Sequence, residues 1–184
     1  FASNIDFELL ITVARRLLHS RHDHISFRIA GKGSLNSSTF RDLEGLRNIV
    51  LLGWLNSDSL IQEMRSADIG ILLYNNSAMQ SLPNKPFEYM AHGLALLNPL
   101  LGEMSDIVSD KNIGLNYDPL NPDSLYDSIV QLDQGRDMLA KMRRNSVNAA
   151  SNDYDTESIY SGFTPFLNNV REYFYAGIEK NKGN

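Results

Sequence analysis

Apolar residues recur along this chain in two alternating rhythms. Phe7, Leu10, Ala14, Leu17 and Leu18 fall on one face at helical spacing, so residues 5–20 predict an amphipathic helix. "ISFRIAG" at 25–31 predicts a strand, and after a polar stretch "NIVLLG" at 48–53 predicts a second. A helix near 57–66 leads to a third strand, "DIGILLY" at 68–74. A further helix opens at "SLPNK", followed by strands at "LALLN" (94–98) and "IGLNY" (113–117). The chain then turns helical. "NPDSLYDSIVQL" carries Pro122 in its first turn, where the missing N–H costs nothing. Residues 135–150 predict another helix, and Ile159, Phe163, Leu167, Val170 and Phe174 mark a last one.

Strands that are apolar nearly throughout imply burial on both faces, as in a parallel sheet. The alternation therefore predicts an α/β fold with a doubly wound, Rossmann-like parallel sheet. The sheet region spans about 1–117 and the C-terminal helices about 121–178, all in a single domain over residues 1–184. In such a sheet, ligands bind beyond the carboxyl ends of the strands. Those ends are "GKGS", "GWLN", "YNNSAMQSLPNK" and "NPLLGE".

Composition narrows the partners. Of 184 residues, 42% are hydrophobic, enough for a real core, and the net charge of −5 with a pI near 5.3 gives nucleic acid no electrostatic footing. Without cysteine there is neither a disulfide framework nor a thiolate metal site. No run approaches the ~20 apolar residues of a membrane span and no signal peptide opens the chain. The expected location is cytoplasmic, with the inner face of the membrane as a peripheral alternative. "FASNIDFELL" reaches a helix almost at once without an initiator Met and reads as a piece of something longer.

Chemistry concentrates at residues 80–93. A helix N-terminus offers unpaired N–H groups and the positive end of its dipole, which together attract phosphate. Lys85 sits in that first turn, where a cation is unfavourable unless an anion joins it. Glu88 follows by three residues, and one carboxylate can accept hydrogen bonds from two vicinal ribose hydroxyls. The plainer reading makes Ser81 or Asn84 a helix cap and Lys85 a solvated partner of Glu88. Gly31 and Gly33 in "AGKGS" fail the P-loop spacing and instead let backbone approach a ligand or turn the chain. His19, His22 and His24 in "HSRHDH" are of a type that ligates metal, but a helix end beside solvent explains them, and in "DYD" Asp155 or Thr156 reads as an N-cap. No metal and no cofactor is expected.

The stretch from Asn48 to Val108 resembles the donor-binding, C-terminal domain of GT-B glycosyltransferases, specifically the retaining family 4. The markers are Gly53, Ala67-Asp68, Glu88, Gly93 and Gly102 in order and spacing, with a gapless match from Gln80 to Val108 and a looser one over about residues 5–132. "PNK-x-x-EYM" is similar to a variant found in transferases that build bacterial surface polysaccharides. The resemblance implies half of a GT-B enzyme that binds a nucleotide-diphosphate sugar for retaining transfer to a glycan or lipid-linked acceptor. The N-terminal acceptor domain, with any catalytic base, lies outside this chain. It also implies that Glu88 grips the ribose, that Leu82, Pro83, Asn84 and Lys85 face the phosphates and sugar, and that Leu55 meets the base through its backbone.

The chain departs from the family in three places. Gln80 replaces the first Glu of Glu-x7-Glu, Asp106 stands where Glu is usual, and the Arg and Lys that follow the domain's first strand have no counterpart in "FASNIDFELL". Two other readings therefore stand beside the transferase: a sugar-nucleotide epimerase of the same fold, and a non-catalytic scaffold domain.

Overall fold

The computed structural model describes residues 5–33, 36–75 and 82–154. Seven helices and five strands alternate among them: α1 (Phe7–Leu18), β1 (Phe27–Ala30), α2 (Ser37–Glu44), β2 (Ile49–Gly53), α3 (Ser57–Ser66), β3 (Ile69–Ile71), α4 (Lys85–Ala91), β4 (Ala95–Asn98), α5 (Glu103–Asp110), β5 (Gly114–Asn116), α6 (Pro122–Gln134) and α7 (Arg136–Asn152). Short polar caps set several helix starts. Asp6, Asn36, Asn56 and Asn121 each accept a backbone N–H of the first turn, from Leu9, Thr39, Ser59 and Asp123 respectively.

All strand pairs are parallel, but the strands fall into two hydrogen-bonded groups, β1–β2 and β3–β4–β5. Ile5 bridges Tyr74 antiparallel, and the Asp6 N–H donates to the Leu73 carbonyl at 2.7 Å, tying the start of α1 to the end of β3. One hydrophobic core runs across both groups, uniting α1, Phe27 and Ile49 with Ala95, Leu97 and α6.

Strand β4 shows the doubly wound layering most directly, because all four of its residues are buried. Ala95 and Leu97 pack with α1 and α6, whereas Leu96 packs with Met90 of α4, Met104 and Val108 of α5, and Ala149 of α7. Successive side chains point to opposite faces of a strand, so this alternation places helices on both faces of the sheet.

The structure adds two helices that the apolar pattern does not show. The polar stretch after β1 contains α2, which buries only Thr39 and Leu43, and the segment before β5 contains α5, which buries Met104 and Val108. The third strand is shorter than expected, Ile69–Ile71 rather than 68–74. The predicted helix from Ile159 to Phe174 and the Asp155 or Thr156 cap lie outside the described residues.

Candidate active site at the carboxyl edge

The carboxyl ends of the strands carry the candidate site in two parts. On the β1–β2 side, the Gly31 N–H donates to the Gly53 carbonyl at 2.7 Å, joining the two loops just past their strands. Gly31 has φ 143° and Gly53 φ 66°, so both backbones use the region that only glycine enters freely. Gly33 is exposed beyond them and Leu55 is half-buried.

Between these glycines the structure adds two residues that the sequence reading overlooked. The Lys32 ammonium lies 5.5 Å from the centre of the Trp54 ring, and Trp54 is 68% exposed. That contact has the geometry of a cation–π pair. The available signal was compositional: Trp54 is the chain's one tryptophan, and it directly precedes Leu55.

On the β3 side, α4 presents the remaining candidates. Gln80 and Ser81 lie outside the described residues. Leu82 is 37% exposed, Pro83 is buried, and Asn84, Lys85 and Glu88 are exposed. Of the two caps in the plainer reading, Ser81 lies outside the described residues and Asn84 makes no capping bond. Its backbone is already helical (φ −72°, ψ −30°) and its side chain makes no capping bond, while its carbonyl accepts from Phe87 and Glu88 N–H groups at 3.1 and 3.3 Å. The Lys85–Glu88 pair of the plainer reading is also not made, since among the described residues no ion pair joins the two. Glu88 instead acts electrostatically on two tyrosines. Burial first and the Glu88 carboxylate second raise the pKa of Tyr74, and the same causes, with Tyr74 added, push Tyr89 up to about 12.

The position of α4 is fixed from below and behind. A Cβ on Gly70 of β3 would lie 2.3 Å from Tyr89 Cδ2, so the strand and helix approach closely only because residue 70 has no side chain. Just past the carboxyl end of α4, Arg143 of α7 donates from Nε to the Gly93 carbonyl at 2.8 Å and pairs with Asp68 through Nη1 at 2.5 Å. Asp68 and Gly93 are therefore part of the scaffold that holds α4, not part of the ligand surface.

Large apolar side chains are also exposed along this edge. Leu101 (84%) and Leu120 (73%) join Trp54 and Leu82 on loops that follow strand ends.

The family model described as "Glycosyl transferases group 1" matches residues 2–134. The chain belongs to this family. Among solved structures it is similar to a TarM mutant from S. aureus in complex with fondaparinux, alpha-GlcNAc-glycerol and UDP, at TM-score 0.72 and 20% identity over 91% of this chain and 34% of that one. It is similar to Alr3699/HepE from Anabaena in complex with UDP-glucose, at TM-score 0.74 and 15% identity over 92% and 46%. WaaG, a glycosyltransferase involved in lipopolysaccharide biosynthesis, aligns at TM-score 0.65 and 16% identity over 82% and 40%. No curated protein matches. The likeness establishes the GT-B half-fold, and this chain spans only a third to under half of these structures. Among the described residues no helix is long and apolar enough to cross a membrane.

Proposed function

We propose that this group 1 glycosyltransferase chain is the half that binds the nucleotide-diphosphate sugar, with the donor lying along the carboxyl edge from Trp54 to α4. The observation that carries the reading is the start of α4. Lys85 and Glu88 are both exposed there, on a helix whose carboxyl half is held against β3 and α7, and among the described residues no ion pair joins them. A nucleoside diphosphate supplies what each lacks: an anion for Lys85 and two adjacent hydroxyls for Glu88. Gln80 and Ser81, next along the sequence, are assigned to the sugar, and Leu82, Pro83 and Asn84 to the helix start that faces it.

Gly31 and Gly33 allow the β1 loop to come close to the ligand, and Leu55 offers backbone groups to the base. Lys32 sits between those glycines as a second cation, a substitute for the Arg and Lys that the chain lacks. In transfer, the bond from the sugar's anomeric carbon to the diphosphate breaks and its electron pair passes to the phosphate oxygen. A nearby ammonium lowers the cost of that charge. The acceptor hydroxyl oxygen then bonds on the face the diphosphate left and gives its proton to the departing phosphate oxygen, giving retention, with a glycan or lipid-linked acceptor held by a companion domain. UDP is present in the TarM and UDP-glucose in the HepE structure, which makes uridine diphosphate the first ligand to try. The context we favour is surface polysaccharide synthesis in the cytoplasm, with no metal taking part in transfer.

Melting this chain with uridine, guanosine and adenosine diphosphates tests the proposal. A ligand at a hundred times its dissociation constant adds about 2.7 kcal/mol of stability. A shift with one of the three is expected. No shift with any would favour the non-catalytic scaffold, to which the substitution at Gln80 also points.

A further inference from the structure

His22 and His24 follow α1 in the turn that leads to β1, and Asp133 lies at the end of α6. The sequence groups His19 with the other two histidines, but the fold separates it: its Nδ1 lies 2.7 Å from the Arg15 carbonyl of its own helix. The fold puts a carboxylate in its place. Asp133 Oδ2 lies 2.9 Å from His22 Nδ1, and Asp133 Oδ1 lies 2.9 Å from His24 Nε2. One donor atom from each of the three residues falls within 4.8 Å of the others.

From this geometry we propose that His22, His24 and Asp133 form a binding site for a borderline divalent transition metal, zinc in the first instance. Two imidazoles and one carboxylate are the donors that zinc, nickel and cobalt take, whereas magnesium and calcium prefer oxygen alone. At metal–ligand bonds of about 2.0–2.2 Å, tetrahedral ligand atoms stand roughly 3.4 Å apart. The two 2.9 Å contacts run to different oxygens of Asp133, and the three ligand atoms, all within 4.8 Å of one another, have to settle to about that spacing around one carboxylate oxygen, within reach of rotations about the side-chain bonds. The ring protons on His22 Nδ1 and His24 Nε2 then shift to the far nitrogen of each ring or leave to solvent, because a metal binds the unprotonated nitrogen.

Burial favours an ordered site. The side chains of His22 and Asp133 are 14% and 18% exposed, while His24 at 59% leaves a path for the ion and for water as a fourth ligand. Asp133 is already committed to the two rings: burial alone would raise its pKa, but hydrogen bonds from His24 and His22 outweigh that and hold it below the ordinary value. The site lies at the amino edge of the sheet, before β1 and at the last turn of α6, opposite the Lys85–Glu88 edge. Its ion would clasp the α1–β1 turn to α6 and take no part in sugar transfer.

The test uses the untagged chain, zinc(II) by calorimetry and cobalt(II) by visible absorption, with melting in each metal. Saturable one-to-one uptake, tetrahedral cobalt bands and a raised melting temperature are expected. Asp133→Asn should weaken uptake about tenfold or more, since losing even an outer partner of a metal site costs about 10–100-fold. His24→Gln, at an exposed position, should do the same without affecting the metal-free fold, and His19→Gln should bind as the parent does. No saturable uptake by the parent, undiminished uptake by both Asp133→Asn and His24→Gln, or an equal loss in His19→Gln overturns the assignment.

Discussion

The two strand groups solve different problems with the same parallel pairing. In β3–β4–β5 the central strand is buried on both faces, and the helix above β3 fits against a glycine. In β1–β2 only Phe27 and Ile49 are fully buried, Val50 is 37% exposed, and the loops end in exposed Lys32, Gly33 and Trp54. One group is packed rigidly and holds Glu88 and Lys85 on α4. The other is open and offers an aromatic face and a glycine-containing loop. A donor spanning both would meet fixed recognition at its ribose and phosphates and adaptable contact at its base.

The largest expected effect tests the packing contrast. Leu96→Ala removes a side chain with no exposure from the centre of the sealed group and should cost about 2–5 kcal/mol. Val50→Ala in the open group should cost about 0.5 kcal/mol. Urea melts of the two variants measure both, and similar costs would erase the distinction.

A middle-sized effect concerns recognition. Glu88→Ala should weaken nucleoside diphosphate binding by about 1.5–3 kcal/mol with little change in folding, because the side chain is exposed and the hydrogen bonds proposed for it to the ribose are charge-assisted. Calorimetry of the variant beside a melt separates the two. Unaltered affinity would move the ribose away from α4.

The smallest effect is expected at Lys85. A cation at a helix start is unfavourable by a few tenths of a kcal/mol up to about one. Lys85→Gln should therefore leave the free chain as stable or slightly more so. It should lower diphosphate affinity more than monophosphate affinity, with a difference that shrinks as salt rises. A variant that loses stability and binds unchanged would return Lys85 to a purely structural role.

Much of this arrangement can be read from the sequence, for identifiable reasons. Strands such as "LALLN" and helices such as α1 and α6 bury many residues, so their apolar periodicity is strong. Helices α2 and α5 bury only two residues each, Thr39 with Leu43 and Met104 with Val108, which leaves too narrow a stripe to register as a period. Glu88 and Lys85 are readable because they share one helix start. Lys32 against Trp54 and His22 against Asp133 are not, since these pairs exist only once strands or helices distant in the chain are brought side by side. The role of Asp68 was legible as a family marker but not as a ligand of Arg143, which lies 75 residues further along.

Trp54 has an optical consequence. It is the chain's one tryptophan and is already 68% exposed in the folded state. Its emission therefore reports poorly on unfolding, because water surrounds the indole before and after. The buried Tyr74 and Tyr117 are the better witnesses to loss of the core. What the indole does sense is the carboxyl edge itself, where Lys32 stands over its ring. Folding and ligand capture thus leave separate spectroscopic signatures in this one unlabelled chain, tyrosine for the first and tryptophan for the second.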